Sequence, residues 1–218
     1  MSTDPEASPD ERASSQPAFW DVRYEENEHL FGVRPNHFVA AWADHLPSGV
    51  ATVELGAGEG RNLIHLAQQK QHRVTAVDFA PTALQEAKAL AAACKVPMET
   101  IEADVRTWTP GQQWDVVVVT FVQLLPAERP GFYALVKRLL RPGGYLIGEW
   151  FRPAHLNDGY ARIGPSRPDR MIPVEELRRH FAQHQILHCS AVTTHLADGP
   201  LLRGRAGTVQ CAVRMKPL

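Results

Sequence analysis

The chain is short of cysteine, of charge of one sign and of long apolar runs. Its three cysteines, Cys94, Cys189 and Cys211, are widely spaced and form no CxxC pair. That excludes a disulfide framework and a zinc-finger pattern, and it fits a reducing cytoplasm. Basic and acidic side chains number 23 and 24, for a formal net charge of −1. Such a balance cannot hold nucleic acid by bulk phosphate neutralisation, and it leaves no polybasic segment for an anionic membrane. No apolar run approaches the roughly 18 residues of a spanning helix. The densest, Val116 to Val119 and then Phe121-Val122, has the length of a strand. The opening MSTDPEASPDER lacks the basic start and apolar stretch of a secretory leader. The expected setting is the cytoplasm, and the expected partner is a small molecule rather than nucleic acid or membrane. A monomer and a homodimer both remain open.

What is present is enough for one full core. With 218 residues and 44% hydrophobic content, the chain is a single-domain length, able to bury about 70% of its unfolded surface. Residues 1–17 stand apart, with three apolar side chains, three prolines, four serines, and four acids against one arginine. They read as a disordered tail, because so little apolar surface cannot offset ordering entropy. Residues 18–218 then form one domain with a formal charge of +2.

From Phe19 onward, strand-like and helix-like segments alternate. Helices over 19–28 and 36–45 precede a first strand over 50–55. A helix over 60–69, a strand over 73–77 and the alanine-rich helix Pro81 to Ala93 follow, with proline suited to its first turn. Strands are expected over 97–102 and 114–121, the second a near-continuous valine run of the kind buried on both faces. After a helix over 127–140 and the turn Pro142-Gly143-Gly144, a fifth strand covers 145–150. A loop over 152–172, a helix over 174–183 and strands over 185–193 and 208–216 complete the chain. The pattern predicts an α/β fold, a Rossmann-like doubly wound parallel sheet with helices on both faces. Its parts are a helical cover over 18–48, a ligand-binding core over 50–151, and a substrate-side loop and C-terminal strands over 152–218.

VELGAGEGRN, residues 53–62, runs from a hydrophobic strand into Gly56, Gly58 and Gly60 and then into a helix. Glycines there permit a tight turn and let a ligand reach the main chain. Asp78 closes the second strand 22 residues after Gly56, and Asp104 closes the third 26 residues later. An acid at the end of the second strand can accept from both ribose hydroxyls. Glu54, Asp78 and Asp104 thus end three successive strands on one rim. Three acids would repel a pyrophosphate but suit an adenosine ligand bearing an ammonium and a sulfonium. The contrast favours S-adenosylmethionine over a nicotinamide cofactor.

VELGAGEGRN, AVDFAP, IEAD, WDVVVVT and LLRPGGYLIGEW together resemble the ordered motifs of class I S-adenosylmethionine-dependent methyltransferases, across residues 50–151. Residues 19–39 and 163–181 are similar to segments of the tellurite-resistance and thiopurine-methyltransferase-like small-molecule group. The resemblance implies a seven-stranded sheet whose last strand is antiparallel. It also implies roles: Gly56 and Gly58, with Glu54 behind them, for the methionine part; Asp78 for the ribose; and Phe79 against the adenine. Asp104 and the Val105 backbone would meet the adenine amine, Thr120 would lie near the methyl group, and Arg23 and Tyr24 would reach the cofactor carboxylate. TFVQLLP lacks the Asn-Pro-Pro-type motif of enzymes acting on adenine or amide nitrogens, so a small acceptor is expected, such as a thiol or a chalcogen oxyanion. Relatives carry Gly-x-x-His-Arg near the C-terminus. Here Gly199 to Arg203 has leucine for the histidine, leaving Arg203, with His195 as the nearest substitute, as candidate catalytic residues. No metal is expected: His180, His184 and His188 are spaced by four, but a helix ends among them. Two other readings stay open, an NAD(P)-dependent oxidoreductase and a non-catalytic S-adenosylmethionine-binding partner subunit.

Overall fold

A computed structural model describes residues 14–160 and 163–217. Residues 1–13 of the expected tail, and Arg162 in the long loop, lie outside the described residues. Ser14 to Gln16 do have a defined place. Trp20 Nε1 donates to the Ser14 carbonyl at 2.9 Å and Arg106 to the Ser15 carbonyl at 2.9 Å, so order begins ahead of residue 18.

Seven strands form one sheet: β1 Ala51–Leu55, β2 Arg73–Asp78, β3 Met98–Glu102, β4 Trp114–Thr120, β5 Leu140–Phe151, β6 Gln185–Asp198 and β7 Leu202–Arg214. Their order is β3-β2-β1-β4-β5-β7-β6, and β7 alone runs against the rest. The helices are α1 Pro17–Glu26, α2 His37–Trp42, α3 Arg61–Lys70, α4 Pro81–Ala93, α5 Arg129–Leu139 and α6 Val174–Phe181. None is long and apolar enough to cross a membrane. The doubly wound Rossmann-like sheet expected from the alternating segments is the architecture observed.

Burial follows strand alternation. Val53, Leu55, Val117 and Val119 face a core with Phe132, Tyr133, Leu177 and Phe181 from α5 and α6. Val116 and Val118 face Phe38, Val39 and Leu66 on the other side. Valines on both faces of β4 explain the unbroken apolar run in the sequence.

A buried polar line crosses that second face. Asn62 Nδ2 donates to Glu54 Oε1 at 2.6 Å, and the Asn36 amide donates to Asn62 Oδ1 at 2.7 Å. Asn36 Oδ1 caps α2 by accepting from Phe38 and Val39, while its Nδ2 donates to Glu149 Oε2 at 2.6 Å. Glu149, 1% exposed, also accepts from Thr208 and Gln210. Asn36→Ala removes the cap and one donor to a buried carboxylate. It is expected to cost about 2 kcal/mol, read as a lower denaturation midpoint at unchanged slope.

The last two strands are longer than expected. They pair over their whole length from Gln185↔Arg214 to Asp198↔Leu202, whereas β5 reaches only to Phe151↔Thr208. Residues 193–207 therefore project past the rest of the sheet as a two-stranded hairpin.

Candidate active site

A cavity of about 350 Å³ opens at the carboxyl ends of β1, β2 and β4, where open α/β sheets hold their ligands. The glycine turn forms its floor. Gly56 and Gly58 have φ of +65° and +53°, which side-chain-bearing residues adopt only under strain. A Cβ on Gly58 would stand 2.7 Å from Tyr24 Oη, so a larger residue there would have to displace the Tyr24 phenol beneath α1. Asp78 holds the turn shut: its Oδ2 accepts from the Gly58 amide at 2.9 Å, and its Oδ1 from the Ala80 amide at 3.0 Å. Burial raises the Asp78 carboxyl above its ordinary range, and those backbone donors pull the other way.

Glu54 ends β1 in the same interior. Its Oε1 accepts from Asn62 and from Thr120 Oγ1, but Oε2 is buried with no hydrogen-bond partner among the described residues. Burial pushes its carboxyl up to about 7, against the opposing pull of Asn62, the Arg61 guanidinium and Thr120. Tyr24, also buried, is raised well above an ordinary phenol by burial and by Asp78.

The cavity is lined by nine of the ten residues expected to bind cofactor: Arg23, Tyr24, Gly56, Gly58, Asp78, Phe79, Asp104, Val105 and Thr120. Glu54 lies directly behind Thr120. The two residues expected on the acceptor side do not join them. Leu196 and Leu202 are buried inward, so period-two alternation turns His195 and Arg203 outward to solvent. Phe31, Phe121, Phe151, Pro165, Leu201 and Leu202 line the cavity instead.

Asp104 differs from expectation in its partner. Arg106 grips it with both Nε and Nη2, at 2.8 and 2.6 Å, and holds its carboxyl below the usual range although burial works the other way. The same Arg106 reaches Glu128 and the Ser15 carbonyl, tying the N-terminal segment across the cavity mouth. Sequence reasoning missed Arg106 and Arg61, because isolated arginines beside acids look like solvated charge. The loop over 152–172 also buries a histidine. His155 is 2% exposed, with Nδ1 accepting from the Gly207 amide and Nε2 meeting the Ile163 carbonyl, so it pins the loop to β7. His180 packs on Tyr133 and His188 lies beside Phe38, on opposite faces of the sheet, so the four-residue spacing brings no metal face together.

Residues 52–144 match the family model for a methyltransferase domain. That match takes in the glycine turn, Asp78 and Asp104. The trans-aconitate 2-methyltransferase of Escherichia coli (strain K12 / DH10B) is 32% identical over 123 residues, which is 54% of this chain and 47% of that protein. The chain thus spans about half the length of the curated relatives it matches. Among solved structures, TehB from Haemophilus influenzae is similar at a TM-score of 0.68 and 19% identity, over 82% of this chain and 61% of that one. The Burkholderia thailandensis 1,6-didemethyltoxoflavin-N1-methyltransferase, with bound 1,6-didemethyltoxoflavin and S-adenosylhomocysteine, is similar at 0.64 and 20%, over 99% and 93%. At those identities, both likenesses establish the fold.

Proposed function

We propose that the protein is an S-adenosylmethionine-dependent methyltransferase acting on a small apolar acceptor. The observation that carries this reading is the set of acids on one rim. Asp78 is buried at the end of β2, and Glu54 holds an unpartnered buried oxygen at the end of β1. Those groups fit an adenosine ligand with a cationic amino-acid portion. When bound, S-adenosylmethionine supplies an electrophilic methyl group on a sulfonium.

The chain's own residues bind, align and keep the site dry. Asp78 accepts from the ribose while holding the turn. Phe79 offers its ring to the base, and Arg106 and Ser15 close over that end. Arg23 meets the cofactor carboxylate: its guanidinium stacks on Phe19 at 3.3 Å and has no acidic partner among the described residues. The described lining contains no histidine, lysine or cysteine. Its titratable groups are carboxylates, Tyr24 and arginines, and an acceptor already anionic and soft, such as a thiolate, needs no base from them. The aromatic acceptor end favours an apolar thiol over a hydrated chalcogen oxyanion.

Incubation with labelled methyl donor and a panel of aryl and alkyl thiols, phenols, amines, carboxylates and chalcogen oxyanions tests the reading. Transfer to thiols is expected. No transfer to any class, with cofactor bound, would leave a non-catalytic binding subunit as the better account. Arg106→Ala is expected to weaken S-adenosylhomocysteine about threefold to tenfold in calorimetry, by freeing the segment at Ser15.

A further inference from the structure

The tip of the β6–β7 hairpin is docked against the N-terminal cover. Gly199 lies against the backbone of residues 30–32, so closely that a Cβ on it would stand 2.4 Å from the Gly32 nitrogen and 2.5 Å from the Leu30 carbonyl oxygen. The Leu201 amide donates to that same Leu30 carbonyl at 3.4 Å. Beneath this contact lies Arg61, the residue directly after the glycine turn and only 6% exposed. Its Nη1 donates to the carbonyls of Phe31 and Arg34 at 2.9 and 3.0 Å, and lies 3.1 Å from Asp198 Oδ1 at the hairpin tip. One buried cation thus touches three segments far apart in the chain: the end of the glycine turn, the N-terminal cover and the hairpin carrying Leu201 and Leu202.

We propose that Arg61 and Asp198 are positioning residues, a latch through which filling the glycine turn closes the acceptor wall. The proposal rests on the reading that the cavity takes S-adenosylmethionine. A ligand seated on Gly56 to Gly60 fixes the start of α3 and with it the guanidinium of Arg61. A fixed Arg61 holds Asp198 and the Phe31 carbonyl, and Leu201, Leu202 and Phe31 are then set as walls for the acceptor. Cofactor binding thereby precedes and orders the acceptor site, with no acceptor needed to close it. Arginine suits the task because one planar group can serve several acceptors at fixed angles, which a lysine ammonium on a flexible stem does not reproduce.

Hydrogen exchange on the full chain, with and without S-adenosylhomocysteine, reads the coupling. In the wild type, S-adenosylhomocysteine is expected to slow exchange at the glycine turn and also at residues 28–34 and 196–204. In Asp198→Asn, protection of the turn should persist while protection of the hairpin is lost. Ligand dissociation, followed by tryptophan fluorescence with Trp20 at the cavity wall, should quicken about fivefold or more. Gly199→Ala breaks the same contact by sterics and leaves both charges in place. It should reproduce both effects, which separates the latch from any fault in folding Asp198→Asn. Unchanged hairpin protection and dissociation in both variants, with wild-type binding intact, would overturn the latch. Failure of the wild type to bind S-adenosylhomocysteine would instead overturn the proposed function.

Discussion

Asp78→Ala is expected to weaken S-adenosylhomocysteine binding about 100-fold or more while leaving the protein folded. Two losses combine. The carboxylate now accepts from the Gly58 and Ala80 amides, so its removal frees the turn whose backbone shapes the cavity floor. On the proposed reading, the ribose hydroxyls also lose their acceptor. Each bond to a charged group contributes about 1.5–3 kcal/mol, so two such losses reach about 3 kcal/mol or more. Asp78→Asn keeps one oxygen and should lie between the two. Calorimetry supplies the affinities, and circular dichroism checks the fold. An affinity unchanged within twofold in Asp78→Ala would mean that the ribose is held elsewhere.

Glu54→Gln is expected to make the ligand-free protein more stable at pH 8 than the wild type, with the gap closing by about pH 5. The folded carboxyl lies at about 7, against 4.5 for the group in its ordinary setting. The folded state therefore binds this proton more tightly than the unfolded chain does. The stability this supplies is complete below pH 4.5 and is lost as pH rises towards 7, an effect of about 3 kcal/mol. The substituted amide carries no charge to bury and escapes the loss. A cationic ligand reverses the preference by favouring ionised Glu54. Wild-type affinity should then rise with pH up to about 7 and level off, and the amide variant should lose that slope. Thermal melts and titrations across pH 5–8 read both effects.

The local chemistry of the chain carried much of the fold. Pro81 to Ala93 is helical over the range expected, because proline at the first turn and alanines thereafter decide the matter locally. The valine run of β4 and the glycine turn after β1 were legible for the same reason. The placing of Glu54, Asp78 and Asp104 followed from them, since all three sit where strands end.

The hairpin side of the cavity was not legible in the same way. Whether Leu202 or Arg203 points inward depends on pairing across the hairpin, and a shift of one residue exchanges the faces. Gly204 and Gly207 read as loop, yet both lie within β7. His155 and Arg61 are polar side chains whose burial depends on partners distant in sequence, the Gly207 amide and the Ile163 carbonyl for one, and Asp198 for the other. No local pattern announces such contacts.

On the proposed reading, this rim of acids reads a cationic adenosine ligand. Titration of the wild-type protein with S-adenosylhomocysteine and, separately, with NADH tests it most directly. S-adenosylhomocysteine is expected to bind saturably at a single site, and NADH to give no saturable heat. Saturable binding of NADH with none of S-adenosylhomocysteine would contradict the account and make the domain a nicotinamide-binding one.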